Sequence, residues 1–475
     1  MNKTENLPRS LAALATALRE RRLSPVEVVG ALLERIEAID EELNAFVTVL
    51  RAEALEEAKR AEREILAGEY RGPLHGVPIA LKDLIYTKGV RTTMGSAFFE
   101  GYVPDHSATV ASKLEEAGAI LIGKTNTHEF AYGPTGDRSH FGPVKNPYDP
   151  ARISGGSSSG SGAAVAAGLC YAALGSDTAG SIRIPSALCG VVGMKPTFGR
   201  VSKRDVFPLS WTLDHVGSLT RTIEDNALLL RVLAGHDPKD SYSANRPSED
   251  FARTLRHGIR DGVIGVPASF YFEHVEDEVE HRVRESIEVF RSLGAKVREV
   301  ELPKLSETLK AQRFTLATEA YAVHEERLKS EPEKFGDEVR ERLRDGENLK
   351  AHRYATAQQV TKRRSSEEFE HALREADVLL TPTVSIAATE IGQRKVNIGG
   401  YEEYVFSALT RLTGPTNLNG LPSLSVPCGL TRSGLPVGLQ LIGRPFDEAT
   451  LYRYGHACEA AALVEAETPQ EEPLA

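Results

Sequence analysis

Short apolar runs set between amphipathic stretches constrain this chain's fold more than any other feature. Residues 77–81, 119–122 and 263–266 are built of Val, Ile, Leu and Ala with at most a Pro or Gly among them. That length and texture suit strands covered on both faces, which need no polar alternation. Helical stretches such as 108–117 separate them, and residues 262–302 read as a strand, a helix (277–293) and a strand (295–302) in succession. Strand-like runs return at 376–384, 423–426 and 437–442, and a last amphipathic helix begins near Asp447. The alternation predicts an α/β fold: a single large domain, 1–475, with a mixed central β-sheet covered by helices on both faces.

Residues 1–70 read as an N-terminal helical segment. Ser24 is a side-chain cap, Pro25 takes the first helical position, and an amphipathic run follows to about Ile39. A second helix rich in Ala, Glu and Arg spans 51–66. Residues 304–375 are long, charged and helical, and residues 74–220 carry the motifs. No internal repeat and no linker of disordered composition interrupts the chain.

Composition narrows the function by exclusion. The net charge of −10 argues against a nucleic-acid binder, whose affinity would rest on a basic face. No stretch approaches the roughly 20 apolar residues of a membrane span. Residues 1–11 lack the apolar core of a secretion signal, so a cytoplasmic protein is expected. Cys170, Cys189, Cys428 and Cys458 follow no metal or redox spacing and read as packing residues.

Two motif matches fail on their context. Gly118, Gly123, Lys124 and Thr125 fit the phosphate-loop spacing. The residues between the glycines are apolar and suit a strand, whereas a phosphate cradle needs a loop of converging N–H groups followed by a helix. Gly156, Ser158 and Gly160 fit the nucleophile elbow of α/β-hydrolases, which would make Ser158 the nucleophile. That elbow needs a buried central strand before it, and Pro147 and Pro150 stand there instead.

A third signal is a constellation. Gly155 and Gly156 precede Ser157, Ser158 and Ser159, and a helix of small residues follows at 163–167. A tight loop comes next: Asp177, Thr178, Ala179, Gly180, Ser181, Ile182, Arg183 and Ile184, closed by Pro185 as a helix stop. Upstream, Lys82 and Asp83 end the apolar strand 77–81. A Gly/Ser linker would not run straight into such tightly packing residues.

Residues 153–196 closely resemble the amidase signature, and the stretches 74–83, 123–126, 213–217 and 435–443 are similar to the same family, so the resemblance covers nearly the whole chain. It implies the amidase signature fold and a hydrolase acting on carbon–nitrogen bonds through an acyl-enzyme. By motif, Lys82 is the base, Ser157 the relay on a cis Gly156–Ser157 peptide bond, and Ser181 the nucleophile. A serine hydroxyl needs a base near neutral pH, and a lysine serves only when burial keeps it uncharged. The backbone N–H groups of Thr178, Ala179, Gly180 and Ser181 are the expected oxyanion donors, with Ala179 standing where the family often has Gly. Ser158 is expected as a hydrogen-bonding support, and Asp177 and Arg183 as an ion pair bracing the loop. Thr127, His128, Tyr132, Gly156 and Trp211 are expected around the substrate. The resemblance calls for no metal or organic cofactor.

Within the family, the amidase component of aminoacyl-tRNA amidotransferases is the alternative. That component usually has Gln where this chain has Ile184, Gln where it has His215, and an Asp within the stretch that here reads 408–414 without one. These departures favour a standalone enzyme on a small amide, anilide, carbamate or related ester, acting without nucleic acid or membrane; the resemblance implies a homodimer.

Overall fold

The structure, a computed structural model, describes residues 7–461. The ends of the expected N-terminal segment and of the chain, 1–6 and 462–475, lie outside the described residues. The strands run in chain order as β1 (Phe46–Val49), β2 (Pro78–Lys82), β3 (Ile120–Thr125), β4 (Lys145–Asn146), β5 (Asp149–Ile153), β6 (Ala172–Asp177), β7 (Val192–Lys195) and β8 (His215–Thr220). They continue as β9 (Val263–Pro267), β10 (Lys296–Val300), β11 (Val378–Pro382), β12 (Lys395–Ile398), β13 (Tyr401–Tyr404), β14 (Ser423–Leu430) and β15 (Pro436–Ile442).

Eleven of these strands form one sheet in the order β1-β3-β2-β6-β8-β7-β14-β15-β11-β9-β10. It is mixed. The β3–β2–β6 and β11–β9–β10 groups are parallel, and the strands between them pair antiparallel. Every residue of β2, β6, β8 and β15 is buried, as expected of central strands with both faces covered. The mixed α/β sheet flanked by helices agrees with the sequence reading. No helix of the described residues is long and apolar enough to cross a membrane.

Local rules account for the elements that hold the site. Ser24 caps the helix Pro25–Leu43 in a full capping box with Glu27. The phosphate-loop match resolves as β3, a strand paired on both sides, with no cradle. The two prolines ahead of the serine cluster sit beside or in β4–β5, a separate two-stranded sheet, so no central strand feeds an elbow. Pro185 departs from its expected role as a helix stop. It lies inside the helix Arg183–Leu188, in the first turn, where its missing N–H breaks no helical bond.

Candidate active site

Lys82 is the last residue of β2, and its side chain is fully buried. Its Nζ lies 2.7 Å from Ser157 Oγ and 2.9 Å from Ser176 Oγ. Burial depresses the amine from 10.5 to about 7, against the pull of the Asp177 and Asp214 carboxylates. Ser176 belongs to β6, the parallel neighbour of β2, and its hydroxyl also meets the amine.

The Gly156–Ser157 peptide bond is cis. Its surroundings are crowded: a Cβ on Gly156 would meet Gly136 N at 2.8 Å and Gly133 O at 3.0 Å, so only glycine fits. Ser157 O accepts from Thr127 Oγ1 at 2.9 Å and from His128 N at 3.2 Å, which anchors Ser157 to the 126–133 loop. Ser158 ties the two serine-bearing segments together. Its N–H donates to Ser181 O at 3.2 Å and its hydroxyl to Ser176 O at 3.2 Å. A Cβ on Gly175 would fall 2.6 Å from Ser158 Oγ, so the closeness of β6 to the serine cluster depends on that glycine.

Ser181 sits on the turn that follows β6, and Asp177 organises that turn. Its carboxylate accepts from Gly180 N at 2.8 Å and Ile182 N at 3.1 Å, and pairs with Arg183 at 2.9 Å, all in a fully buried setting. Burial alone would raise the Asp177 carboxyl; the Arg183 guanidinium overcomes it and holds the group well below the usual carboxylate range. Arg183 in turn donates to Thr413 O, Thr416 Oγ1, Gln440 Oε1 and Asn417 Oδ1, between 2.6 and 3.1 Å, which pins the turn to the distant 413–417 segment and β15. Gly180 N–H is therefore committed to Asp177, and the N–H groups of Thr178, Ala179 and Ser181 remain as the candidate oxyanion donors. Gly180 has φ +124°, whereas Ala179 is not among the positive-φ residues, so its methyl group costs no backbone strain.

The residues expected around the substrate divide. Trp211, 40% exposed, lines a pocket of about 230 Å³ together with Phe207, Tyr242, Asp214 and His215, and Ser176 brings that pocket up to the Lys82 amine. Thr127, His128 and Tyr132 are buried in the loop behind Ser157. His128 Nδ1 accepts from Gly136 N at 3.3 Å, its ring stands where a Gly133 Cβ would go, and burial pushes the imidazole down to about 3. A larger cavity, about 740 Å³, is lined by Arg138, Glu338, Arg342, Arg394 and Phe406, with Thr135 of the 133–138 loop in its wall. Among the described residues no cluster of His, Cys, Asp and Glu is arranged to hold a metal ion.

Comparison with known proteins identifies the family. The amidase family model matches residues 27–452. This chain belongs to the amidase family. Its relatives include the glutamyl-tRNA(Gln) amidotransferase A-subunit of Geobacter metallireducens, 41% identical over 468 residues, 94% of this chain and 95% of that protein. A solved structure described as an unexpected vestigial protein complex that reveals the evolutionary origins of an s-triazine catabolic enzyme superposes with TM-score 0.92 at 32% identity, over 95% of this chain and 98% of that one. A solved amidase superposes with TM-score 0.87 at 36% identity, over 95% and 99% of the two chains. Amidases are hydrolases of carbon–nitrogen bonds, and such chemistry needs a base, a nucleophile and an anion-stabilising turn in one place.

Sequence reasoning missed several parts of this amidase site. Ser176 is a hydroxyl in a Gly-Ser-Asp run, and only the strand geometry of β6 aims it at Lys82. Asn417 donates to Asp177 Oδ1 at 2.8 Å and Asp177 O at 3.0 Å across 240 positions of chain. Gln312 and Glu319, on the helix Leu305–Ser330, also reach the site. A signal for both was available: they share a buried stripe with Leu309 and Leu316, where polar side chains are out of place.

Proposed function

We propose that this amidase cleaves a carboxamide with Ser181 as nucleophile, Ser157 as proton relay and Lys82 as base. The Ser181 hydroxyl attacks the carbonyl carbon as its proton passes to Ser157, whose own proton moves to the neutral Lys82 amine. The oxyanion rests on N–H groups of Thr178, Ala179 and Ser181. Ser157 then gives a proton to the departing amine and recovers one from Lys82 as the C–N bond breaks, leaving an ester on Ser181 that water hydrolyses. One observation carries the reading: the fully buried Lys82 amine, depressed to about 7, lies 2.7 Å from Ser157 Oγ.

A fluorophosphonate probe tests it. Labelling of the wild type at Ser181, lost in Ser181→Ala and slowed by about 10²- to 10⁴-fold in Lys82→Met, is the expected result. Labelling at Ser158, or an unchanged rate in Lys82→Met, overturns it.

The relatives favour one physiological role for this chemistry: the glutamine-hydrolysing component of an aminoacyl-tRNA amidotransferase, a cytoplasmic protein working with a partner. The end-to-end match to the Geobacter metallireducens amidotransferase protein, at 41% identity, supports it. The second reading is a standalone enzyme on another small amide or carbamate. Ile184, His215 and the Asp-free stretch 408–414 support that one, because all three surround the Ser181 turn: Ile184 Cδ1 lies 2.8 Å from where a Gly180 Cβ would stand, His215 Nδ1 lies 3.3 Å from Asp177 O, and Thr413 Oγ1 donates to Ala179 O at 2.5 Å. Ammonia release from L-glutamine that requires partner proteins supports the first role. Turnover of an amide, anilide or carbamate panel by the purified chain, with glutamine inert, supports the second.

A further inference from the structure

The helix Leu305–Ser330 leaves the sheet after β10, far from β2 and β6 in strand order, yet it returns to the site at two points on one helical face. Gln312 Nε2, buried, donates to Thr178 O at 3.1 Å. Further along the same helix Glu319, 3% exposed, receives Ser210 Oγ at 2.5 Å, Thr212 N at 3.0 Å, Thr212 Oγ1 at 2.7 Å and Tyr354 OH at 2.6 Å. Ser210 and Thr212 flank Trp211. The same loop is held from the other side by Asp214, whose Oδ2 accepts Leu209 N at 2.9 Å and Ser210 N at 3.0 Å while its Oδ1 accepts Thr178 Oγ1 at 2.6 Å. Thr178 is thus gripped at its carbonyl by Gln312 and at its hydroxyl by Asp214.

We propose that Gln312 and Glu319 are positioning residues: together they register the 209–214 loop and the Thr178 end of the oxyanion turn against each other, so that the charged helical segment sets the reactivity of Ser181 without touching substrate. A buried carboxylate receiving hydrogen bonds from both neighbours of an exposed tryptophan fixes that loop far more firmly than loop backbone alone. A carbonyl held at Thr178 O fixes the orientation of the peptide plane that carries Ala179 N–H, one of the candidate oxyanion donors. Donor placement within a fraction of an ångström decides how much such a donor stabilises developing charge.

The proposal rests on Ser181 being the nucleophile, and its test separates the two. The probe is the fluorophosphonate, read as a rate constant of Ser181 phosphonylation per folded molecule, alongside the melting temperature. Gln312→Met keeps length and burial but removes the donor. Tyr354→Phe removes one partner of Glu319 at a half-buried position and keeps the ring. Phosphonylation of Gln312→Met slowed by about 10- to 100-fold is the expected result, the scale of a small misplacement of reacting groups. Tyr354→Phe should slow it several-fold with little change in melting temperature. Variants that melt earlier but react at the wild-type rate have lost only structure and overturn the proposal. A wild type that takes no label at Ser181 overturns the nucleophile assignment itself.

Discussion

Asp214 Oδ1 accepts the Thr178 hydroxyl at 2.6 Å, so the carboxylate that steadies the Ser181 turn also belongs to the electrostatic surroundings of Lys82. Burial draws the amine down to about 7, and Asp214 with Asp177 holds it from falling further. A base must be unprotonated, so kcat/KM is expected to climb as pH rises through about 7 and then level off. In Asp214→Asn the opposing charge is gone and the acid limb should move to lower pH, with a reduced plateau because Thr178 loses a charged acceptor. A pH–rate profile of both proteins on one amide decides this; an acid limb that stays in place removes Asp214 from the account.

Neighbouring positions 179 and 180 should respond in opposite ways. A Cβ on Gly180 would lie 2.3 Å from Thr413 Oγ1 and 2.8 Å from Ile184 Cδ1, at φ +124°. Gly180→Ala is therefore expected to cost about 10²-fold or more in Ser181 reactivity, the scale of a lost oxyanion donor, as the turn is forced out of place. Ala179→Gly, at a position free of such strain, should stay within a few-fold of the wild type. Phosphonylation rates of the two variants provide the comparison.

Arg183 is fully buried and paired with a fully buried Asp177. Arg183→Met should lower stability by about 3–5 kcal/mol, because it leaves a carboxylate in the interior without its counter-charge. Urea unfolding at neutral pH measures this. A loss below about 1 kcal/mol, the scale of an exposed ion pair, would mean that Asn417 and the backbone donors hold Asp177 unaided.

His324 supplies an acid-sensitive element of stability. Its ring packs 4.3 Å from Phe130, neither nitrogen has a hydrogen-bonding partner among the described residues, and burial, with Arg327 nearby, pushes it from 6.5 down to about 3. Between those values the unfolded chain holds a proton that the folded chain refuses, so stability falls as pH drops from 6.5 toward 3. His324→Leu should flatten that part of the curve. Unfolding midpoints of both proteins across this pH range test the sign; parallel curves would assign the acid loss to other groups.

Much of the architecture was legible because its signals are local. Strand β2 declares itself by apolar texture, and Lys82 by standing at its end. Strand β6 did not, because Ala, Gly and Ser make up most of it, and β7 and β8 are short runs each interrupted by a glycine, where β propensity is weak. Their glycines leave room for one side chain of the Ser181 turn: Cβ atoms on Gly175, Gly193 and Gly217 would all come within 3.1 Å of Ile182. The serine cluster and the 177–183 turn could be read in sequence, whereas the partners that hold them, Gln312, Thr413, Asn417 and Gln440, lie far along the chain and belong to no motif. Gly180 was expected among the oxyanion donors; only the fold reveals that Asp177 claims its N–H.

The route of the chain between β10 and β11 has an engineering consequence. Both ends of that helical excursion are clamped by strands at the margin of the sheet remote from the lysine, while its middle leans over the cleft. A segment moored in this way can change in length beyond Glu319 while the strands that carry Lys82 and Ser176 keep their pairing, provided its first helix still meets Thr178 and the 210–212 loop. A graft of such an excursion from one amidase to another should therefore keep Ser181 reactive only when it carries a donor at position 312 and a carboxylate at position 319.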